Sequence, residues 1–313
     1  MAVLEKTLTK KKTAGLLRWV IWGSVGFVLL AALTTVGISV YVGWQLLHPE
    51  KVPLDASPQD YGLTYEPFEV KSFHDDTRLK GWVMETSEPV HGVLVFAHGY
   101  AGNRLEKPLP ALALARDLVE SGFHVVMFDF RNSGESEGTM TTVGLYEKED
   151  LRSVVQFAKA SYPDLPLGVI GFSMGAATAL VTAAEEPAIR AVVADSPFSD
   201  LNEYLQDNLS FWSGLPDFPF TPVILGILPA LVGIDLAEVS PKQAMTEIDV
   251  PVLFIHGTGD EAISPSNSEA IYANGDPDRV DFWLAEGSGH VRAYSDYPEE
   301  YTHRVVRFFQ SAF

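Results

Sequence analysis

The stretch that most constrains this chain is Gly171-Phe172-Ser173-Met174-Gly175, read together with its flanks. Before it runs Leu167-Gly168-Val169-Ile170, short, apolar and bounded by Pro166, which predicts a buried strand. After it, Ala176 to Ala184 is alanine-rich and helix-compatible. A serine on a sharp strand-to-helix turn has a strained backbone and a hydroxyl standing clear of the sheet. Glycines two residues to either side leave room for the neighbouring strand and helix. The five residues alone also occur in ordinary Gly-rich turns; the strand before and the helix after favour a nucleophile.

The rest of the chain supplies a sheet for that turn. Phe68–Phe73 and Leu79–Met84 read as antiparallel strands around His74–Thr77. From His91 onward strands and helices alternate. The predicted strands are Gly92–Ala97, Phe123–Phe128, Leu167–Ile170, Ala191–Ala194, Val252–Ile255 and Val280–Leu284. Helices are expected over Pro108–Ser121, around Leu151, Val154, Val155 and Ala158, after Ser173, and over Tyr297–Phe309. Such alternation builds a mostly parallel, doubly wound α/β sheet. The alternation breaks at 199–240, a stretch too long for a plain connection and too apolar for disorder. It predicts a cap over the site. Pro216, Asp217, Pro219, Pro222 and Pro229 argue against a membrane span there.

Trp19 to Leu47 contains no charged residue, and as a helix it extends about 43 Å against a hydrocarbon core of about 30 Å. Trp19 and Trp22 lie near one end, Tyr41 and Trp44 near the other, where amphipathic rings favour the interfaces. A cleaved signal peptide, the competing reading, has an apolar region about half as long. Residues 1–18 carry Lys6, Lys10, Lys11, Lys12 and Arg18 against Glu5, so the positive-inside bias predicts a cytoplasmic N-terminus. The expected layout is a basic segment 1–18, a single-pass anchor 19–47, a proline-containing linker 48–64 and a domain 65–313 outside the cytoplasmic membrane. With net charge −19 overall, residues 19–313 hold −23. So acidic a body excludes nucleic acid as an electrostatic partner. The chain has no cysteine, and hence no disulfide or thiolate metal site. It carries no His-Glu-x-x-His, phosphate-loop or dinucleotide motif, so neither metal nor cofactor is expected.

A serine hydroxyl becomes nucleophilic when a base takes its proton and a carboxylate orients that base. Two later strands run into suitable loops, His256-Gly257-Thr258-Gly259-Asp260 and Glu286-Gly287-Ser288-Gly289-His290. Both lie past the carboxyl ends of their strands, where such sheets place their sites. Asp195 also follows a strand and competes with Asp260 for the carboxylate's place. His98 and His256, each before a glycine, read as loop-holding residues.

The set His98-Gly99-Tyr100, Asp129 to Ser136, Gly171–Gly175, His256–Asp260 with Ile263-Ser264-Pro265, and Gly289-His290 resembles the α/β-hydrolases. The likeness is to the serine-aminopeptidase-like branch, which also holds simple esterases and monoacylglycerol-lipase-like enzymes. It spans roughly residues 65–313 and does not include the apolar N-terminal segment. The resemblance implies Ser173 as nucleophile, Asp260 as acid and His290 as base. It also implies an oxyanion hole made by the backbone N–H groups of Met174 and Tyr100. The leading expectation is a membrane-anchored serine hydrolase acting on carboxylic esters, with the apolar cap suited to an acyl chain or another lipid-like group. An exopeptidase using Glu203, Asp207 or Asp217 to hold an amine, and a non-catalytic binding module, are the alternatives.

Overall fold

A computed structural model describes the backbone of residues 2–313 and the side chains from Leu16 onward; the lysines of the basic segment 1–18 lie outside the described side chains. The strands are β1 (Glu66–Lys71), β2 (Arg78–Met84), β3 (Gly92–Ala97), β4 (Phe123–Phe128), β5 (Leu167–Phe172), β6 (Ile189–Asp195), β7 (Val252–Gly257) and β8 (Val280–Ala285). The helices are α1 (Ala2–Leu47), α2 (Ala111–Glu120), α3 (Glu147–Ser161), α4 (Met174–Glu185), α5 (Leu201–Ser213) and α6 (Asp217–Val232). They continue with α7 (Pro241–Ala244), α8 (Ser266–Tyr272), α9 (Ala293–Asp296) and α10 (Pro298–Ala312). All eight strands form one sheet in the order β1-β2-β4-β3-β5-β6-β7-β8. β1 and β2 pair antiparallel, β2 meets β4 antiparallel, and the remaining pairs are parallel.

The central strands are apolar on both faces because both faces are covered. Leu94, Phe96, Val125 and Ile170 point into one core with α2 and α10. Their neighbours Val93, Val95, Val126 and Val169 point into the other, under α3 and α4. The helix expected to begin at Pro108 starts at Ala111. Pro110, which lacks an N–H, stands just before it.

The predicted cap is two helices, α5 and α6, bent by 120° at residues 214–216. Their inner faces share a third apolar cluster that includes Tyr204, Leu209, Ile224 and Leu228. Leu47, from the end of α1, belongs to the same cluster. One helical stretch among the described residues, Leu16–Leu47, is long and apolar enough by itself to cross a membrane. The proline-containing linker 48–64 lies against the domain. It has no regular structure before the 3₁₀ turn Pro58–Tyr61, yet it is held along the domain. Asn132 Nδ2 donates to Pro49 O at 3.3 Å, Lys51 Nζ to Ser136 O at 2.6 Å, and Asn103 Nδ2 to Val52 O at 3.0 Å. Lys107 pairs with Asp55 at 2.7 Å. The linker accepts through the backbone carbonyls of Pro49 and Val52 and the Asp55 carboxylate, and donates through Lys51.

Candidate active site

β5 ends at Phe172, and Ser173 takes φ 53° and ψ −117° before α4 begins at Met174. A non-glycine residue in such a conformation costs on the order of 1–3 kcal/mol and persists only where its surroundings fix it. Ser173 N–H donates to Asp195 O at 2.8 Å, tying the turn to β6. The flanking glycines are steric requirements. A Cβ on Gly175 would strike Ala97 O and lie 2.6 Å from His98 O. One on Gly171 would lie 2.5 Å from Ala176 Cα.

His290 and Asp260 stand on the loops after β8 and β7. Those loops are bonded to each other, Gly259 N–H to Ser288 O at 2.9 Å and Gly287 N–H to Thr258 Oγ1 at 2.7 Å, which fixes the spacing of the two side chains. His290 Nε2 lies 2.8 Å from Ser173 Oγ, and Nδ1 lies 2.7 Å from Asp260 Oδ2. Asp260 Oδ1 accepts the N–H groups of Ala262 and Ile263, each at 2.9 Å. Burial pushes this carboxyl up, but hydrogen bonds from His256 and His290 outweigh it and hold Asp260 well below the usual carboxylate range. With Asp260 charged, the bond at His290 Nδ1 is Nδ1–H to carboxylate, and Nε2 is left to accept the Ser173 proton. Ser173, Asp260 and His290 therefore form one hydrogen-bonded chain.

Asp195 is not on His290. It is buried between Ser196 Oγ at 3.0 Å and Tyr301 OH at 3.1 Å, and burial pushes its carboxyl up to about 6. His98 and His256 hold loops: His98 Nε2 accepts Phe130 N–H at 3.0 Å, and His256 Nε2 lies 2.8 Å from Ile263 O. Asp129 binds buried Arg104 at 2.6 Å, and Arg131 binds Asp150 at 2.7 Å. The carboxyls of Glu203, Asp207 and Asp217 do not line the space in front of Ser173, and Glu203 pairs with Lys242 at 3.1 Å.

No backbone carbonyl among the described residues takes the N–H of Tyr100 or of Met174. Two features of the loop after β3 escaped the sequence. The Tyr100 hydroxyl donates to Leu46 O of α1 at 2.5 Å, with its ring edge-on to Trp212. Glu106, fully buried, accepts Gly99 N–H at 2.5 Å, and burial pushes its carboxyl up to about 7 against that bond. Neither contact has a local sequence signal, since one partner lies 54 residues away and the other is an unremarked glutamate seven residues on.

In front of Ser173 and Met174, between them and the cap, is a narrow, mostly apolar cavity of about 90 Å³. Residues 92–226 match the family model for the alpha/beta hydrolase fold. The chain is 33% identical over 236 residues to YqkD of Bacillus subtilis (strain 168), covering 74% of this chain and 75% of that protein. It belongs to the α/β hydrolases. The Pyrococcus furiosus esterase Pf2001 superimposes with a TM-score of 0.70 at 27% identity, over 84% of this α/β hydrolase and 99% of the esterase. The lysophosphatidylserine lipase ABHD12 of Mus musculus is 27% identical over 207 residues, 63% of this chain but 49% of the lipase.

Proposed function

We propose that this α/β hydrolase is a membrane-anchored serine hydrolase that cleaves carboxylic esters through an acyl-enzyme. The observation that carries the reading is the continuous chain from Ser173 Oγ through His290 to Asp260. Ser173 Oγ attacks the ester carbonyl carbon while His290 Nε2 takes its proton. The charge on the carbonyl oxygen falls to the N–H groups of Met174 and Tyr100. His290 returns the proton to the departing alkoxide, the carbon–oxygen bond breaks, and the acyl group stays on Ser173. Water then repeats the sequence and releases the acid. Asp260, ionised throughout, orients the imidazole and stabilises its charged form. Ester substrates are supported by the esterase and lipase among the relatives. The apolar Leu16–Leu47 and the basic residues before it support an anchor with the domain on the far side of the membrane.

The test is labelling of the full-length protein with a fluorophosphonate probe. Ser173→Ala is expected to abolish labelling and nearly all turnover of para-nitrophenyl butyrate without unfolding the domain. Full-strength labelling of that variant would refute the assignment.

A further inference from the structure

The anchor helix does not leave the domain where the apolar run ends. From Leu16 to Ile38 most of its side chains are exposed; from Ser39 onward one face is covered. That face is Ser39, Gly43 and Leu47, spaced four apart, and it packs on α6. Small residues at this spacing let two helices approach closely. At Gly43 the approach is tight: a Cβ there would lie 2.7 Å from Leu228 Cδ2 and 3.2 Å from Ile224 Cγ2. The 23 residues from Leu16 to Ile38 rise roughly 35 Å as a helix, enough for a hydrocarbon core of about 30 Å. Residues 39–47 then sit at the membrane surface. On the opposite face Tyr41 and Trp44 are 64% and 50% exposed, as suits interfacial rings.

Gly43, Leu46 and Leu47 line the same cavity as Ser173 and Met174. No charged side chain lines it, and beyond Ser173 Oγ and the N–H groups of Tyr100 and Met174 its polar side-chain atoms are already engaged. Tyr100 OH is bonded to Leu46 O, Tyr204 OH to Ala262 O at 2.9 Å, and Trp212 Nε1 to Tyr204 OH at 2.7 Å. A charged or hydrogen-bonding substrate group finds no partner there, whereas a hydrocarbon chain loses nothing on entering. We propose that the last turns of α1 are a wall of the acyl-chain subsite, so that the anchor itself takes part in selecting esters by their apolar acyl chain. The proposal rests on the serine-hydrolase reading above. The Tyr100–Leu46 bond joins that wall to the loop whose N–H faces the developing charge, so the helix end also positions part of the catalytic apparatus.

The experiment uses the full chain in mild detergent, with para-nitrophenyl palmitate and butyrate as substrates and a small fluorophosphonate to report a folded site. Gly43→Phe forces α1 away from Ile224 and Leu228 of α6 and so displaces the wall of the cavity. It is expected to lower the palmitate-to-butyrate ratio of kcat/KM at least about tenfold, since even one methylene lost from an apolar subsite is worth that much. Gly43→Ala is expected to lower it by a smaller factor, and it decides the question if the Phe variant takes no label. Gly26→Phe, on the exposed part of the helix where nothing lies within 4 Å, is expected to keep the wild-type ratio. Labelled Gly43 variants with an unchanged ratio overturn the proposal, and so does a Gly26→Phe effect equal to theirs. Wild-type protein that takes no label and cleaves neither ester sinks the serine-hydrolase reading instead, and the subsite with it.

Discussion

Asp195, the last residue of β6, and Asp260, on the loop after the neighbouring β7, are both buried carboxyls, and the groups around them distinguish the two. Asp260 receives two backbone N–H groups and the imidazole, which hold it ionised at any working pH. Asp195 faces two hydroxyls, too little to offset burial, and it holds its proton up to about pH 6. An orienting group must be charged to stabilise the imidazolium, so Asp260→Asn is expected to reduce kcat by about 10⁴, measured on butyrate esters. Asp195→Asn is expected to act on stability far more than on turnover.

Glu106 makes a separate prediction. Its folded pKa of about 7 lies above the ordinary 4.5, so the native state keeps a proton that the unfolded chain has lost. Its contribution to stability is therefore present below about pH 4.5, declines as pH rises to 7, and is lost above that. The difference is worth about 3 kcal/mol. Urea unfolding in detergent at pH 5 and pH 8 is expected to show the wild type losing about 2–3 kcal/mol more stability over that interval than Glu106→Gln. An equal loss in both proteins would show that Glu106 does not titrate there. The sequence displayed Ser173, Asp260 and His290 because each ends a strand in a glycine-marked loop. Glu106 and the Tyr100 hydroxyl carry no such mark, because their partners are set by tertiary packing alone.

At the scale of elements, the parallel strands were legible because two-sided burial makes each one a short apolar run between turn residues. The cap was legible as an interruption too apolar to be a loop, although its two-helix form was not. The hydrophobic run Trp19–Leu47 reads as uniform, yet its environment changes at Ser39. Hydropathy cannot register that change, since the residues on both sides of Ser39 are equally apolar. Only the small residues Ser39 and Gly43 mark it. The contacts of the linker are hidden from the sequence for a related reason. Its prolines indicate extension, but what holds it are donors at Asn103, Asn132, Lys51 and Lys107, distant along the chain or solvent-facing.

For the whole molecule, the basic residues before Trp19, against a single lysine between Pro49 and Asp60, set the expected orientation. Protease added to intact cells is expected to digest the catalytic domain; protection until lysis would place the domain in the cytoplasm. The docked linker bears on what such digestion leaves behind. A cut near residue 50 opens the chain, but Leu46 and Leu47 remain seated against Tyr100 and the cap, and Pro49 and Val52 remain bonded to the loops below. A nicked protein thus stays assembled. A fragment freed from residues 1–47 would lack Gly43, Leu46 and Leu47, and with them one side of the cavity in front of Ser173.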